Sequence, residues 1–256
     1  MKVLYGYDIP ESLYGKIADL DAEVFSEGAE EFVGNTTMPK EVIISLLKKN
    51  ISMTVVMVDD SNNVIAYYQS FPIEKEFAES YLKGDVGFSD INETKVLESN
   101  VSDITMYLWT IAVKKEYRGV KVDDIHEPGK KVSIIQLLQE GLVDCLIDLR
   151  RQGVVVKRVM SEGVSEKGVD LVKSFCGEDS LVRADEENAF YVYASNFNPD
   201  CRAFSRCRNI HKLKVVYGQT KGTSQDVVLS DGQNQILSLK DDSNVPGSGS
   251  QKNTTG

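Results

Sequence analysis

Residues 103–151 read DITMYLWTIAVKKEYRGVKVDDIHEPGKKVSIIQLLQEGLVDCLIDLRR. Ile104–Val113 is dense in β-branched and aromatic residues and predicts a strand. Further on, Val132, Ile135, Leu138, Leu142, Cys145 and Leu149 recur at steps of three and four, which predicts a long amphipathic helix. Between them lie Arg118-Gly119 and Gly129-Lys130-Lys131. A strand that runs through a glycine-bearing loop into a helix places unpaired N–H groups and the positive end of the helix dipole beside pliable backbone. That arrangement suits phosphate groups, and Lys130, Lys131 and the amide of Ser133 are expected there.

Working outward, Leu13, Ile17, Leu20 and Val24 form one helical stripe after Pro10, and Val42, Ile43, Leu46 and Leu47 form the buried face of a second helix that starts near Pro39 and ends at Asn50. Ser52–Val58 and Val64–Ile73 read as two strands joined by the turn residues Asp59–Asn63. Residues 74–102 read as an insertion with a helix at Glu74–Leu82. Val154–Met160 predicts a strand, Glu166–Phe175 a helix and Ala189–Ala194 a last strand. The element order is ααββ, the insertion, then βαβαβ. Beyond it, Lys212–Tyr217, Asp226–Leu229 and Gln235–Leu239 are expected as short strands, with Asp231-Gly232 as a turn. Residues 241–256 offer almost nothing to bury and are expected to be disordered.

The chain has 256 residues, 41% of them apolar and 27% charged, as in ordinary globular proteins. Length allows one main domain and a small appendage: residues 1–198, an extension over 199–240, and the tail. No apolar run is long enough for a bilayer, and Asp8 and Pro10 interrupt the N-terminal apolar stretch before a secretory core forms. Four cysteines are too few for a disulfide framework, so a cytoplasmic location is expected and the sequons at Asn35, Asn92, Asn100 and Asn253 are expected to be idle. The net charge is −10, with the excess acid in residues 1–200. That balance argues against a nucleic-acid surface. It suits a cationic partner or simply aids solubility. Cys201, Cys207 and His211 lack zinc-site spacing and a fourth ligand, so no metal is expected.

The residues Val113, Lys115, Tyr117, Arg118 and Gly119 fall on a pattern like V-x-P-x-Y-R-G-x-G-x-G, and four of these five match, with Lys115 in place of proline. Together with the element order over about residues 1–195, the chain thereby resembles the GNAT N-acetyltransferases. After Arg118-Gly119 the compact G-x-G of that pattern gives way to VKVDDIHEP, read as an insertion that defers the loop glycine to Gly129. Asp123, Asp124 and Glu127 would then point away from the phosphates.

The resemblance implies an α/β (α+β) fold, a mixed central sheet flanked by helices, and acetyl-coenzyme A as cosubstrate without a metal. Its pantetheine arm would pair with Ile111, Ala112 and Val113, where the central strand splays from its neighbour. Its phosphates would meet Arg118, Gly119, Gly129, Lys130, Lys131, Val132 and Ser133. The amide near Ile111 would polarise the thioester carbonyl. Trp109 stands where the family often has a glutamate base. Glu162, after the next strand, and Tyr107, on the face of Trp109, are the alternatives, and Ser174 or water would replace a tyrosine expected near Val172. Plain readings stand beside these: Tyr107 and Trp109 as pocket wall, Glu162 as a solvated loop carboxylate, and the basic run Arg202, Arg206, Arg208, Lys212 and Lys214 as a counterweight to the acidic body. The expected activity is direct transfer of acetyl to a primary amine on a small molecule or protein, with a homodimer allowed. The rival is a GNAT-fold module without catalysis that binds a coenzyme-A species or a protein.

Overall fold

A computed structural model describes residues 1–27, 38–98, 101–185 and 190–218. The β-branched runs of the sequence line up as a seven-stranded sheet. In chain order its strands are β1 (Lys2–Tyr5), β2 (Thr54–Val58), β3 (Val64–Ile73), β4 (Asp103–Val113), β7 (Val155–Gly163), β8 (Leu181–Asp185) and β9 (Phe190–Asn196). In space the order is β1-β2-β3-β4-β7-β9-β8. Every pairing is antiparallel except that of β4 with β7, which are parallel. A separate two-stranded hairpin, β5 (Lys121–Asp123) with β6 (Lys131–Ser133), lies in the loop before the long helix.

Helices cover both faces. On one side lie α1 (Tyr14–Glu27), α2 (Lys40–Lys49) and α3 (Lys75–Lys83), where Leu13, Ile17, Leu20, Val24, Ile43, Leu46 and Leu47 are all buried. The stripe expected from spacing is therefore the stripe that packs. The opposite side holds α4 (Ile134–Arg151), α5 (Glu166–Cys176) and α6 (Ile210–Val216). Ser133 caps α4 by accepting a hydrogen bond from the amide of Gln136 at 3.2 Å. The sheet and flanking helices are the expected fold class. The expected hairpin is present too, with Asp59 Oδ1 accepting from the amides of Ser61 and Asn63 at 2.9 and 2.8 Å.

Some elements depart from the sequence reading. Lys212–Tyr217, expected as a strand for its β-branched residues, falls in a region where Ile210–Val216 is helical, because Leu213 packs wholly inside the core. The stretch after residue 198 joins the main core: Phe204 and Cys207 are buried against α4 and α5. The insertion is likewise anchored. Its Ile91 and Val96 are buried, and Asn50 Nδ2 donates to the Leu97 carbonyl at 2.9 Å. Strands β1 and β8 are short sheet edges with no full alternation to betray them. Asp226–Leu229, Gln235–Leu239 and residues 241–256 lie outside the described residues.

Two packing contacts can be tested by thermal unfolding. A Cβ on Gly141 of α4 would lie 2.5 Å from Val55 Cγ1 of β2, so Gly141→Ala is expected to cost about 1–3 kcal/mol through overpacking. Phe204→Ala is expected to cost about 3–5 kcal/mol, as for a core aromatic. A near-neutral Phe204 variant would mean that the segment after β9 is dispensable to the fold.

Candidate active site

Between Gln69 and Ser70 the β3–β4 ladder slips by a residue: Gln69 faces Thr110 while Ser70 faces Leu108. Trp109 is therefore the additional residue of a β-bulge, which bends its strand and increases the local twist. Side-chain facing shows the consequence. Ile104, Met106 and Leu108 pack towards α4, and so do Ile111 and Val113, whereas Tyr107, Trp109 and Ala112 pack towards α1–α3.

At the same level β4 leaves β7. Their parallel ladder ends at Leu108 opposite Ser161, whose Oγ donates to the Leu108 carbonyl at 2.8 Å. Strand β4 continues to Val113 with β3 alone, and β7 continues to Gly163 with β9 alone. The Lys114 amide donates to Ile65 of β3, so by strand alternation the backbone groups of Ile111 and Val113 face the opening. Arg118 Nε donates to the Val113 carbonyl at 3.0 Å and ties down the strand end. The β7 side is set by contact with α5: a Cβ on Gly163 would lie 2.6 Å from Val169 Cγ2.

At the vertex the Tyr107 hydroxyl donates to Glu162 Oε1 at 3.0 Å. Glu162 is the second-to-last residue of β7, not part of a loop beyond it. It retains some exposed surface, yet protein surrounds the rest, and this loss of water raises its pKa to about 8, opposed by the charge of Arg183. Burial also pushes the Tyr107 phenol up, so it stays a hydrogen-bond donor. A carboxyl poised near neutrality can release or accept a proton, which is what acid–base work requires. Trp109 lies against Phe71, Phe88 and Tyr107 with centroids 5.5, 5.1 and 6.2 Å away. It serves as an aromatic wall beside the pair.

Other expected residues sit elsewhere. Ser174 Oγ donates to the Leu171 carbonyl within α5 at 2.6 Å, so its proton is engaged there, and Val172 is buried. The loop from Gly119 to Ser133 is the β5–β6 hairpin, with Gly119 and Gly129 at φ 74° and 89°, where glycine is at ease. Val132 is buried under it. The acids of this loop pair with the lysines expected at the phosphates. Lys130 Nζ pairs with Glu127 at 2.8 Å and Asp124 at 3.7 Å, and Lys131 with Asp123 at 2.8 Å. In the basic run, Arg202 and Lys214 pair with Glu178 and Asp200, and Arg208 meets His126 at 3.1 Å. All four cysteines are free and buried, and among the described residues no group of three or more His, Cys, Asp or Glu is placed to hold a metal.

The seven-stranded mixed sheet with helices on both faces is of the fold class that the sequence resemblance implied.

No family model matches the chain, and no curated protein matches it. Solved structures do. "GphF GNAT-like decarboxylase in complex with isobutyryl-CoA" is 10% identical, with 77% of this chain and 100% of that one covered and a TM-score of 0.45. The loading GNATL domain of CurA from Lyngbya majuscula is 10% identical over 76% of this chain and 96% of that one, with a TM-score of 0.46. The GNAT family N-acetyltransferase YhbS from Escherichia coli in complex with CoA is 13% identical over 82% and 91%, with a TM-score of 0.35.

Sequence reasoning missed three features on the α1–α3 side. Arg183 lies on the unforeseen strand β8, and Tyr81 on α3 and Gln69 on β3 read as ordinary core and strand residues. The bulge did leave a signal, because the apolar alternation of β4 changes phase between Leu108 and Ile111. A cleft of about 510 Å³ beside α3 is lined by residues including Glu74, Ser80, Asp90 and Lys95, and its lining does not include Glu162 or Tyr107. No described helix is long and apolar enough to cross a membrane.

Because its pKa is raised in the fold, Glu162 favours folding in its protonated form. Its contribution falls as pH climbs from the ordinary carboxylate range to about 8 and is flat beyond. Glu162→Gln removes that slope. Its melting temperature is expected to gain on the parent protein's between about pH 5 and about pH 9, and parallel curves would mean that Glu162 titrates normally.

Proposed function

We propose that the protein transfers an acyl group, acetyl in the simplest case, from a coenzyme-A thioester directly to a primary amine of a small molecule or protein. The observation that carries this reading is the opening between β4 and β7 with the Tyr107–Glu162 pair at its vertex. The unpaired edge of β4 suits an extended pantetheine arm, which carries amides able to bond to Ile111 and Val113 as a further strand would. The start of α4 and Gly119 offer backbone to the phosphates. Lys130 and Lys131 could help only by giving up Asp123, Asp124 and Glu127, so the arm fits better than the phosphates do.

The thioester supplies an activated carbonyl when bound. The chain supplies the rest. Ile111 N–H faces the opening and can polarise an oxygen placed there. Glu162, as the carboxylate, takes the proton that an attacking ammonium must lose, directly or through water; as the C–N bond forms the C–S bond breaks, and the departing thiolate takes a proton from water. The Tyr107 hydroxyl holds Glu162 in place, and Trp109, Phe71 and Phe88 keep bulk water off one side.

The test is calorimetry with acetyl-coenzyme A, followed by transfer assays on a panel of amines. Binding is expected, and its absence would overturn the reading. Glu162→Gln should lower kcat by a factor of about 10²–10⁴ while leaving donor affinity unchanged. Tyr107→Phe should lower it less and shift the acidic limb of the pH–rate profile to higher pH, because the carboxylate loses a hydrogen bond. An active Glu162→Gln enzyme would remove Glu162 from the chemistry and favour a module that binds without catalysing.

A further inference from the structure

We propose that Arg183 anchors a carboxylate on the acceptor, so that the amine acylated at Glu162 belongs to an amino acid or a similar short amino carboxylate; this deepens the function proposed above and rests on it.

Arg183 and Glu162 share a row of the sheet. Arg183 pairs with Val192 on β9, and Val192 pairs with Glu162 on β7. Residues directly opposite one another on neighbouring strands share a face, and the Val192 side chain is fully buried on the α1–α3 side. Arg183 thus faces the same side as Tyr107, Trp109 and Glu162. Its guanidinium lies over the rings of Tyr81 and Phe190, 5.6 and 5.5 Å from their centroids. Tyr81 in turn lies 5.9 Å from Tyr107, the residue that holds Glu162.

Among the described residues Arg183 has no polar partner: it has no ion pair and no hydrogen bond, and its Nε is buried and unsatisfied. Glu162 feels its charge without closing an ion pair. Ring faces attract a cation but leave its N–H donors without conventional acceptors. The Tyr81 hydroxyl, which is wholly buried, and Gln69 Nε2, at the bulge, are unsatisfied as well. Native folds seldom leave buried polar atoms without partners, and here three such atoms lie on one side of the sheet with the candidate base. A planar guanidinium with free donors matches the two oxygens of a carboxylate. The two positions are two interstrand steps apart, about 10 Å at the backbone, and the length of the arginine side chain shortens that span. The pairing of one acceptor group with Glu162 and another with Arg183 therefore selects a molecule with its amine and carboxylate close together.

Trp109 is the only tryptophan in the sequence, so its fluorescence reports binding without any turnover. The full chain is titrated with matched pairs that differ only in the carboxylate: L-leucine against isoamylamine, and L-phenylalanine against phenethylamine. The amino acid of each pair is expected to bind about tenfold or more tightly than its amine. Arg183→Gln should erase that preference, and Arg183→Lys, which keeps the charge but not the fork, should retain part of it. Equal affinities within each pair, a fluorescence signal that neither member alters, or an equal loss of both members in Arg183→Gln would each overturn the proposal. If Arg183→Gln does not fold, the parent pairs and Arg183→Lys still decide it. Preference without any acyl transfer would leave the carboxylate site standing and overturn the transfer reading alone.

Discussion

The insertion of one residue into one strand organises the functional half of the molecule. With Trp109 in excess, β4 keeps its ladder with β3 on both sides of the bulge yet loses its ladder with β7 beyond Leu108. A regular β4 would extend the parallel pairing and spend on β7 the backbone groups that now face the opening. Bulges cost a sheet little and redirect side chains by a whole face. Here the redirection brings Trp109 beside Tyr107 and leaves Ile111 and Val113 to pack towards α4.

The electrostatics of the vertex follow from the same geometry. Glu162 sits on the last part of β7, where the sheet has parted but aromatic rings still crowd the gap. Water is too scarce to stabilise its charge fully, and the phenol of Tyr107 offers a hydrogen bond without neutralising it. A carboxyl in that state needs little driving force to change protonation. The hairpin before α4 shows the opposite regime. Its Lys130 and Lys131 are exposed and paired with Asp123, Glu127 and the buried Asp124, so they are a weak source of field for a bound anion.

The architecture was legible in the sequence wherever one face of an element is buried. The stripe from Leu13 to Val24, the run from Val132 to Leu149 and the Asp59–Asn63 turn carry patterns that only one local structure satisfies. Where both faces are exposed, or the element is a few residues long, periodicity has nothing to report, and so β1, β8 and the β5–β6 hairpin went unread. The segment around Leu213 misled because Val215 and Val216 favour strands, while contact with the core decides in favour of a helix. Within the site, Tyr107, Trp109 and Glu162 were nameable from their place relative to β4 and β7. Arg183 was not, since its importance depends on a row across three strands that no local pattern records. The ion pairs of Lys130 and Lys131 depend on how the hairpin folds back, which the loop sequence leaves open.

The contact between Gly163 and Val169 has a consequence for how the opening behaves. One jaw of the gap is held at Gly163 by close packing on the side chain and backbone of Val169 and by the ladder with β9, with no charged group in either contact. Glu162, one residue earlier, instead reaches across the gap to Tyr107 of β4. The opening thus has one side set by packing alone and one link whose strength follows the protonation of a carboxyl.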